Sequence, residues 1–315
     1  MDKPFKKIKL CSKFSRYNLI IAIFLIIIMA NLFIMMKNGS EPEVKATQTL
    51  KTYLNKSIIN GIAVVTSSSP TEFEVNYNYI GNQQKEFAMY VYWDYEQAEF
   101  SIDGKKYSKY SFLADKGSKS YKFNIKLEKK FINSVHKMIV VIDDKNRKDM
   151  SHTHMRIQDV YTFVLNDKAY EKTSINIENP YKTYEDNISS LYIVNNDFNE
   201  NAETYTKAKK FKNNNVIKAK ANTEIELALR LSKFNGSDEQ LVILQLDNHQ
   251  IPINNKPYVV YKLDENDELI YDKIKIKTPS ESGEYNLTGF LIPCPFDNMR
   301  SIIHTTLVDC KLVVN

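Results

Sequence analysis

Two of the chain's three cysteines lie close together near its end, where thiol chemistry could link two strands. Cys294 follows one predicted strand and Cys310 lies in the next. Pairing the two sulfurs would set Ile292 opposite Leu312 on one apolar face, which is the geometry of a cross-strand disulfide. A zinc pair would need two more ligands, of which only His304 is near, and two unlinked thiols are the third alternative. In an oxidising compartment the pattern favours the disulfide.

Three histidines could bind a metal ion. His152 and His154 are two residues apart, so on a strand both imidazoles would lie on one face. His136 could approach from an adjacent strand as a third ligand. The alternative is a polar hairpin loop whose histidines are solvated, and this is the interpretation we prefer. The sequence therefore predicts no cofactor.

Five tyrosines could form a binding surface. Tyr90 and Tyr92 alternate with the apolar residues of one predicted strand, Tyr95 follows, and Tyr107 and Tyr110 come shortly afterwards. Exposed tyrosines favour recognition, because the ring buries area at low entropic cost and keeps a polar tip. The alternative is that both faces of the strand are covered inside the fold. If the rings are exposed, they would pack on a protein partner or stack on sugars.

The motifs that mark the common enzyme classes are absent from the sequence. It contains no G-x-S-x-G elbow, no H-E-x-x-H helix, no phosphate-binding loop and no S-x-x-K motif accompanied by its partner motifs. The chain also has only 8 glycines, so it has few of the flexible loops that carry catalytic groups on β-sandwiches. We expect a non-enzymatic protein.

The N-terminal region predicts a membrane anchor. Residues 18–36 are 19 residues without a charge, enough for a helix to cross the hydrocarbon core of a bilayer. Residues 1–17 carry six basic side chains and one acidic one, which predicts a cytoplasmic N-terminus and an extracellular remainder. Cys11 then lies on the reducing side. Asn31 could contact a partner helix in the bilayer. A cleaved signal peptide is the rival interpretation, but its apolar run would be shorter.

The charge balance argues against nucleic acid as a partner. The chain has a net charge of +5, with 43 basic and 38 acidic residues. The cytoplasmic tail accounts for that whole excess, so the remaining 37 basic residues are matched by 37 acidic ones. A neutral extracellular part lacks the basic surface that binds phosphates.

The rest of the chain reads as strands. Residues 71–80 alternate apolar and polar side chains with a period of two, and 86–94 and 120–127 do the same. Short strands at regular spacing predict two-sheet sandwiches and an all-β fold. The predicted organisation is a basic tail (1–17), a transmembrane signal anchor (18–36), a juxtamembrane segment with a short helix at 47–59 (37–60), a first β-sandwich (61–175), a linker or edge elements (176–215) and a second β-sandwich (216–315).

The segment "SESGEYNLTG" at 280–289 resembles the corner before the sixth strand of immunoglobulin-like domains, with Gly283, Tyr285 and Leu287 in the matching places. Trp93 on a third strand is a similar feature of the first half. The resemblance implies two tandem immunoglobulin-like domains of the kind found in bacterial membrane-anchored surface proteins. It also implies that Tyr285 and Leu287 face inward, which is the opposite parity to the cysteine pairing. A bulge could reconcile the two.

Two functions fit these features. The first is a single-pass, extracellular, non-enzymatic protein whose sandwiches bind an envelope or membrane protein as an accessory or structural subunit. The alternative is a surface protein that binds cell-wall glycan through the tyrosine-rich face.

Overall fold

The structure is a computed structural model that describes residues 46–54, 57–59, 62–65, 71–129, 135–145, 156–165, 178, 182–184, 191–195, 216–232, 238–263, 269–293, 295–296 and 306–315. The chain divides into two compact units, Met1–Ala46 and Thr47–Asn315. Apart from Ala46, all described residues belong to the second unit. The predicted anchor at 18–36, with Asn31, and the basic tail lie outside them. Within the described part of the chain, no helix has the length and apolar character needed to span a bilayer.

The described residues form strands and no helix, which confirms the all-β prediction for this part of the chain. There are 22 described strands. In chain order they are β1 (Thr47–Leu54), β2 (Ser57–Ile58), β3 (Ile62–Val65), β4 (Thr71–Gly81), β5 (Lys85–Trp93), β6 (Glu96–Ala98), β7 (Phe100–Ile102), β8 (Lys105–Tyr107), β9 (Tyr110–Ala114), β10 (Gly117–Leu127), β11 (Val135–Asp144), β12 (Arg156–Leu165), β13 (Lys182–Tyr184), β14 (Leu191–Asn195), β15 (Val216–Ala219), β16 (Glu224–Ser232), β17 (Glu239–Leu246), β18 (His249–Ile251), β19 (Val259–Lys262), β20 (Leu269–Lys277), β21 (Gly283–Pro293) and β22 (Thr306–Val314).

These strands make four sheets. Sheet I has the order β2-β1-β4-β10-β7-β8, and sheet II has the order β3-β12-β11-β5-β6, with β9 also paired to β5. Sheet III has the order β15-β22-β21-β17-β18, with β19 also paired to β17, and sheet IV has the order β13-β20-β16-β14.

The four sheets pack as consecutive layers. Sheets I and II share an aromatic core, in which the ring centroids of Phe73 and Phe163 are 5.5 Å apart. Sheets III and IV share an aliphatic core that includes Leu244 and Leu229. A third core joins sheet II to sheet III, with Tyr90 on one side and Phe290 on the other. Both middle sheets are therefore covered on both faces.

Alternation along the strands explains this layering. In β4 the residues Phe73, Val75 and Tyr77 are buried, while the positions between them are half-buried or exposed, as a strand with one solvated face requires. In β5 both faces are buried from Phe87 to Trp93. Covering both faces needs a further sheet, and sheet III provides it.

The predicted helix at 47–59 is wrong, because Thr47–Leu54 forms strand β1. All eight of its residues pair antiparallel with β4, and Leu50 lies opposite Tyr77. Three threonines and a tyrosine in this stretch favour extended backbone, and the ladder with β4 satisfies its main-chain groups. The apolar spacing that matched a helical stripe serves two faces of a strand instead.

The segment 176–215 contributes strands as well as a connection. Its apolar patch forms β14, which lies at the edge of sheet IV and pairs with β16. Strand β13 pairs with β20 at the other edge. The main chain of Glu178 already bonds to Val260 of the second half, with N to O at 2.7 Å.

The two halves of the unit repeat one pairing pattern. In each, an early strand pairs in parallel with the last strand, β3 with β12 and β15 with β22. Six antiparallel pairs of the first half also have a counterpart in the second half. In the first half they are β1–β4, β4–β10, β5–β6, β5–β9, β5–β11 and β11–β12. Their counterparts, in the same order, are β14–β16, β16–β20, β17–β18, β17–β19, β17–β21 and β21–β22. The sandwiches are therefore internal repeats, and positions in one have counterparts in the other.

Candidate functional site

The candidate site lies where two equivalent hairpin turns meet. The turn between β5 and β6 is formed by Asp94 and Tyr95, and the turn between β17 and β18 is formed by Asp247 and Asn248. All four residues have positive φ, between 46° and 69°. Positive φ at both central residues defines the type I′ turn, whose twist matches the two strands it connects.

Each turn is fixed to the neighbouring strand by its aspartate. Asp94 donates its backbone N–H to the Lys137 carbonyl at 2.7 Å, and its Oδ1 accepts the Lys137 N–H at 2.9 Å. Asp247 repeats both bonds with Asn286, at 3.0 Å and 2.9 Å. These contacts set the position of the glutamine three residues later, Gln97 in one repeat and Gln250 in the other.

Gln97 and Gln250 bond to each other's main chain in both directions. The Gln97 N–H donates to the Gln250 Oε1 at 2.5 Å, and the Gln250 N–H donates to the Gln97 Oε1 at 2.6 Å. The two amide NH₂ groups donate to the carbonyls of the opposite turns, Gln97 to Asn248 at 3.0 Å and Gln250 to Tyr95 at 2.9 Å. Equivalent groups thus meet around a local two-fold axis, as at the interface of a symmetric dimer.

Next to the glutamine pair, a buried polar contact crosses between sheets II and III. Tyr90 donates its hydroxyl to the Gln245 Oε1 at 3.2 Å, and the Gln245 amide donates to the Tyr92 hydroxyl. All three side chains are at most 1% exposed. Tyr92 and Gln245 occupy equivalent positions in β5 and β17. We call the surface formed by sheets II and III with the two glutamines the seam.

Charged groups lie at the rim of the seam. The Lys109 ammonium donates to the Asp247 carbonyl at 3.0 Å, and partial burial lowers the pKa of that lysine. Partial desolvation of the His249 imidazole, followed by the nearby Lys109 charge, lowers the pKa of His249 below its usual 6.5. Both groups therefore release their proton more readily in the folded protein than in water.

The prediction of an exposed face for Tyr90, Tyr92 and Tyr95 is wrong. These side chains are 0%, 1% and 3% exposed, because sheet III covers that face of β5. Tyr95 also donates its hydroxyl to the Pro295 carbonyl and packs its ring against Tyr258. The tyrosines contribute to the seam and are closed to an outside partner.

Tyr107 and Tyr110 remain half-buried at the side of sheets I and II. Their ring centroids are 5.1 Å apart in an edge-to-face contact, and the row continues through Phe112 to Tyr121. All four residues keep part of their surface open to solvent. We call this row the aromatic edge. It is the part of the predicted tyrosine surface that a ligand could reach.

Of the three candidate metal-binding histidines, the structure describes one. His136 is 3% exposed, its Nδ1 lies 2.7 Å from the Asp94 Oδ2, and its ring stacks on Trp93. His152 and His154 lie outside the described residues, so their pairing stays a prediction. Among the described residues, no cluster of three potential ligands is present.

The predicted cysteine register is wrong. In the β21–β22 ladder Leu287, and not Cys294, lies opposite Cys310. Cys310 is buried in the aliphatic core with Leu287 and Leu312, and the described residues contain no disulfide. Strand β21 continues for six residues beyond Leu287 to Pro293, which at about 3.4 Å per residue places that strand end roughly 20 Å further along.

The corner feature of the second half has the geometry that the resemblance implied. The Tyr285 hydroxyl donates to the Glu281 carbonyl at 2.9 Å, four residues upstream. Leu287 is fully buried and Tyr285 packs against the same core. Tyr285 and Leu287 therefore both face the core without a bulge in the strand. The register predicted from the cysteines, which would turn them outward, is not the one that forms.

Sequence reasoning missed the seam. Its signal is short: aspartate and glutamine recur with the same spacing, as D-Y-E-Q at 94–97 and D-N-H-Q at 247–250, 153 residues apart. The surrounding strands share little else, so the repeat becomes visible only once both turns are aligned by their pairing.

No family model and no curated protein matches the sequence. Solved structures with similarity include the C-terminal domain of the Streptococcus pyogenes antigen I/II-family protein AspA, at 9% identity over 85% of this chain and 99% of that one, with a TM-score of 0.25. The Streptococcus agalactiae AgI/II polypeptide BspA C-terminal domain gives 9% identity, 85% and 100% coverage and a TM-score of 0.24. The calcium-binding domain CBD12 of CALX1.1 gives 9% identity, 78% and 82% coverage and 0.20. TM-scores this low assign no function to the chain.

Proposed function

We propose that this chain is a non-enzymatic, membrane-anchored binding protein of the bacterial cell envelope, built from two immunoglobulin-like sandwiches that act as one rigid body. The repeated strand pairing and the Tyr285 corner bond support the immunoglobulin-like assignment. The anchor rests on the uncharged run at 18–36 and the basic tail before it. The extracellular part holds a protein partner as an accessory or structural subunit.

The observation that carries the proposal is the seam. Interfaces between domains of one chain are usually modest and allow relative motion. Here a continuous buried core and the reciprocal glutamine bonds join the two sandwiches. A rigid pair fixes the spacing of its outer surfaces, which lowers the entropy lost when a partner contacts both halves.

The test is recovery of a partner from the protein's own membranes. The full-length chain is purified in mild detergent, and the proteins that accompany it are identified by mass spectrometry. A stoichiometric envelope or membrane protein is the expected result. A Gln97→Ala and Gln250→Ala double variant, which loosens the seam, should recover less of it. If the chain arrives alone under all detergents, the proposal fails.

A second candidate is binding of cell-wall glycan at the aromatic edge. Partly exposed rings can stack on sugars, and Tyr107 and Tyr110 lie in one row. The test is sedimentation of the protein with isolated cell walls. Replacing Tyr107 and Tyr110 by alanine should abolish sedimentation, while Tyr53→Ala, a half-buried tyrosine on β1 of sheet I, should leave it unchanged. Equal loss in both variants would rule out a specific site.

A further inference from the structure

Strand β3 is an exposed apolar edge. It lies at the end of sheet II and, among the described strands, pairs with β12 alone. Ile62 and Val64 are 41% and 57% exposed, and the strand "IAVV" carries no charge. An edge of this kind leaves a row of main-chain donors and acceptors open and invites another strand to pair with it.

The equivalent strand in the second half has a protected edge. Strand β15 pairs with β22 as β3 pairs with β12, which places Val216 at the position of Ile62 and Lys218 at the position of Val64. Val216 is exposed like Ile62, but Lys218 puts a charge where β3 has an apolar side chain. A lysine on an edge strand opposes strand addition, because its charge would have to be desolvated. The edge of β15 is therefore protected by a charge, whereas the edge of β3 is not.

The exposed side chains continue the seam face of sheet II. Ile62 lies beside Thr162 in the parallel register, and Thr162 is on the same face of β12 as Val160, a member of the seam core. The face that sheet III covers in the middle of sheet II therefore continues to the β3 edge through Thr162, whose hydroxyl accepts from the Lys137 ammonium at 2.7 Å. At the seam, this molecule already covers such a face by pairing equivalent surfaces around a two-fold axis.

We propose that β3 is a dimerisation edge, and that its occupant is β3 of a second copy of this chain. Two copies related by a two-fold axis would align their β3 strands antiparallel, so that sheet II continues from one copy into the other. In a register centred on Ala63, Ile62 lies opposite Val64 of the partner, and the four apolar side chains form one cluster on the seam face. The strand has no charge that would reject its own copy. Attachment of both chains to one membrane raises their effective concentration, so a short edge suffices.

The experiment measures the mass of the full-length protein in mild detergent by analytical ultracentrifugation over a range of concentrations. A concentration-dependent dimer is expected for the unaltered chain. Val64→Lys, which gives β3 the residue that β15 has at the equivalent position, should raise the dimer dissociation constant at least about tenfold, because the charge must be buried at the edge. Val216→Lys is the matched control on β15 and should leave the constant unchanged. Thermal unfolding of each variant checks that the fold is intact.

Three outcomes would overturn the proposal. The unaltered chain could stay monomeric at all concentrations, or Val64→Lys could leave the dimer intact. Equal weakening by both lysine substitutions would show a nonspecific charge effect. Contacts between the predicted membrane spans are the other possible source of a dimer, and Asn31→Leu tests them. A dimer that is lost in Asn31→Leu and kept in Val64→Lys is held by the membrane span and not by β3.

Discussion

Gln97 and Gln250 occupy equivalent positions in two repeats of one chain, and each side-chain amide accepts the backbone N–H of the other. The relationship is that of a residue and its copy at the centre of a homodimer, here realised within one polypeptide. Because each amide also donates to the opposite turn, removing either side chain leaves main-chain groups of the other repeat without their partner.

The first prediction concerns this pair. Gln97→Ala should lower the free energy of unfolding by about 1–3 kcal/mol, since it removes an acceptor and a donor at a partly buried contact. Gln250→Ala should cost a similar amount. The double variant should cost less than the sum, with a coupling of about 1 kcal/mol, as expected for residues in one network. Urea unfolding of the four proteins measures all terms, and an unchanged stability in both single variants would contradict the reciprocal contact.

The second prediction concerns two buried glutamines in one strand. In β17, Gln240 is 0% exposed, and among the described residues neither its Nε2 nor its Oε1 has a hydrogen-bond partner. Its counterpart in β5 is Phe87, an apolar residue. Gln240→Met should therefore raise the free energy of unfolding by about 1–2 kcal/mol, because an unsatisfied buried amide is replaced by an apolar chain of similar size.

Gln245→Met is the control for that change. Gln245 is also 0% exposed, but it bonds to the hydroxyls of Tyr90 and Tyr92. The same substitution there should destabilise the protein, since it leaves two buried hydroxyls without this partner. Chemical denaturation of both variants makes the comparison. A loss of stability in Gln240→Met would mean that its amide has a partner in solution, such as an ordered water.

The third prediction is a pH dependence at the seam rim. Desolvation, and then the charge of Lys109, lower the pKa of His249 below its usual 6.5, whereas Asp247 acts in the opposite direction. The unfolded chain therefore binds more protons than the folded one near that pH. The free energy of unfolding should rise with pH through this range and fall as the pH drops below it.

The measurement is an NMR titration of the His249 imidazole in the folded protein. Its midpoint should lie below the usual histidine value, and Lys109→Met should move it upward by removing the adjacent positive charge. A midpoint that does not respond to Lys109→Met would contradict the contact between the rim groups.

The fourth prediction separates buried tyrosines from accessible ones. Tyr92→Ala should destabilise the protein by about 3–5 kcal/mol, because the ring is 1% exposed between sheets II and III. Tyr107→Ala should cost clearly less, since Tyr107 keeps part of its surface in solvent. Thermal unfolding compares the two. A similar cost for both would place Tyr107 inside the core.

The strands could be predicted from the sequence because their signal is local. The alternation in 71–80 and in 222–232 is a property of neighbouring residues, and the strands β4 and β16 follow it. The burial of both faces of β5 could not be predicted in this way, because it depends on residues distant in the sequence. Tyr90 and Tyr92 are buried by residues about 150 positions away, and no local pattern records that contact.

The register of the β21–β22 hairpin, which carries Cys310, is a second feature that the local sequence does not determine. Both registers of the β21–β22 hairpin place apolar residues opposite one another, so composition alone does not choose between them. The register is determined by what covers each face of sheet III. Leu287, Cys310 and Leu312 face sheet IV, while Phe290 and Ile292 face sheet II. A one-residue change of parity would exchange these two sets.

The parallel pairing of β3 with β12 has a consequence for a protein under mechanical load. The chain enters the first half near Thr47 and leaves it after Leu165, so tension applied between these two points pulls β3 and β12 in opposite directions along a common axis. Once β1 has been drawn away from β4, that force loads the hydrogen bonds between β3 and β12 together in shear. Bonds loaded together resist rupture better than bonds that are unzipped one after another. In a protein anchored as we propose, the first sandwich would therefore resist unfolding when the second half is pulled away from the anchor.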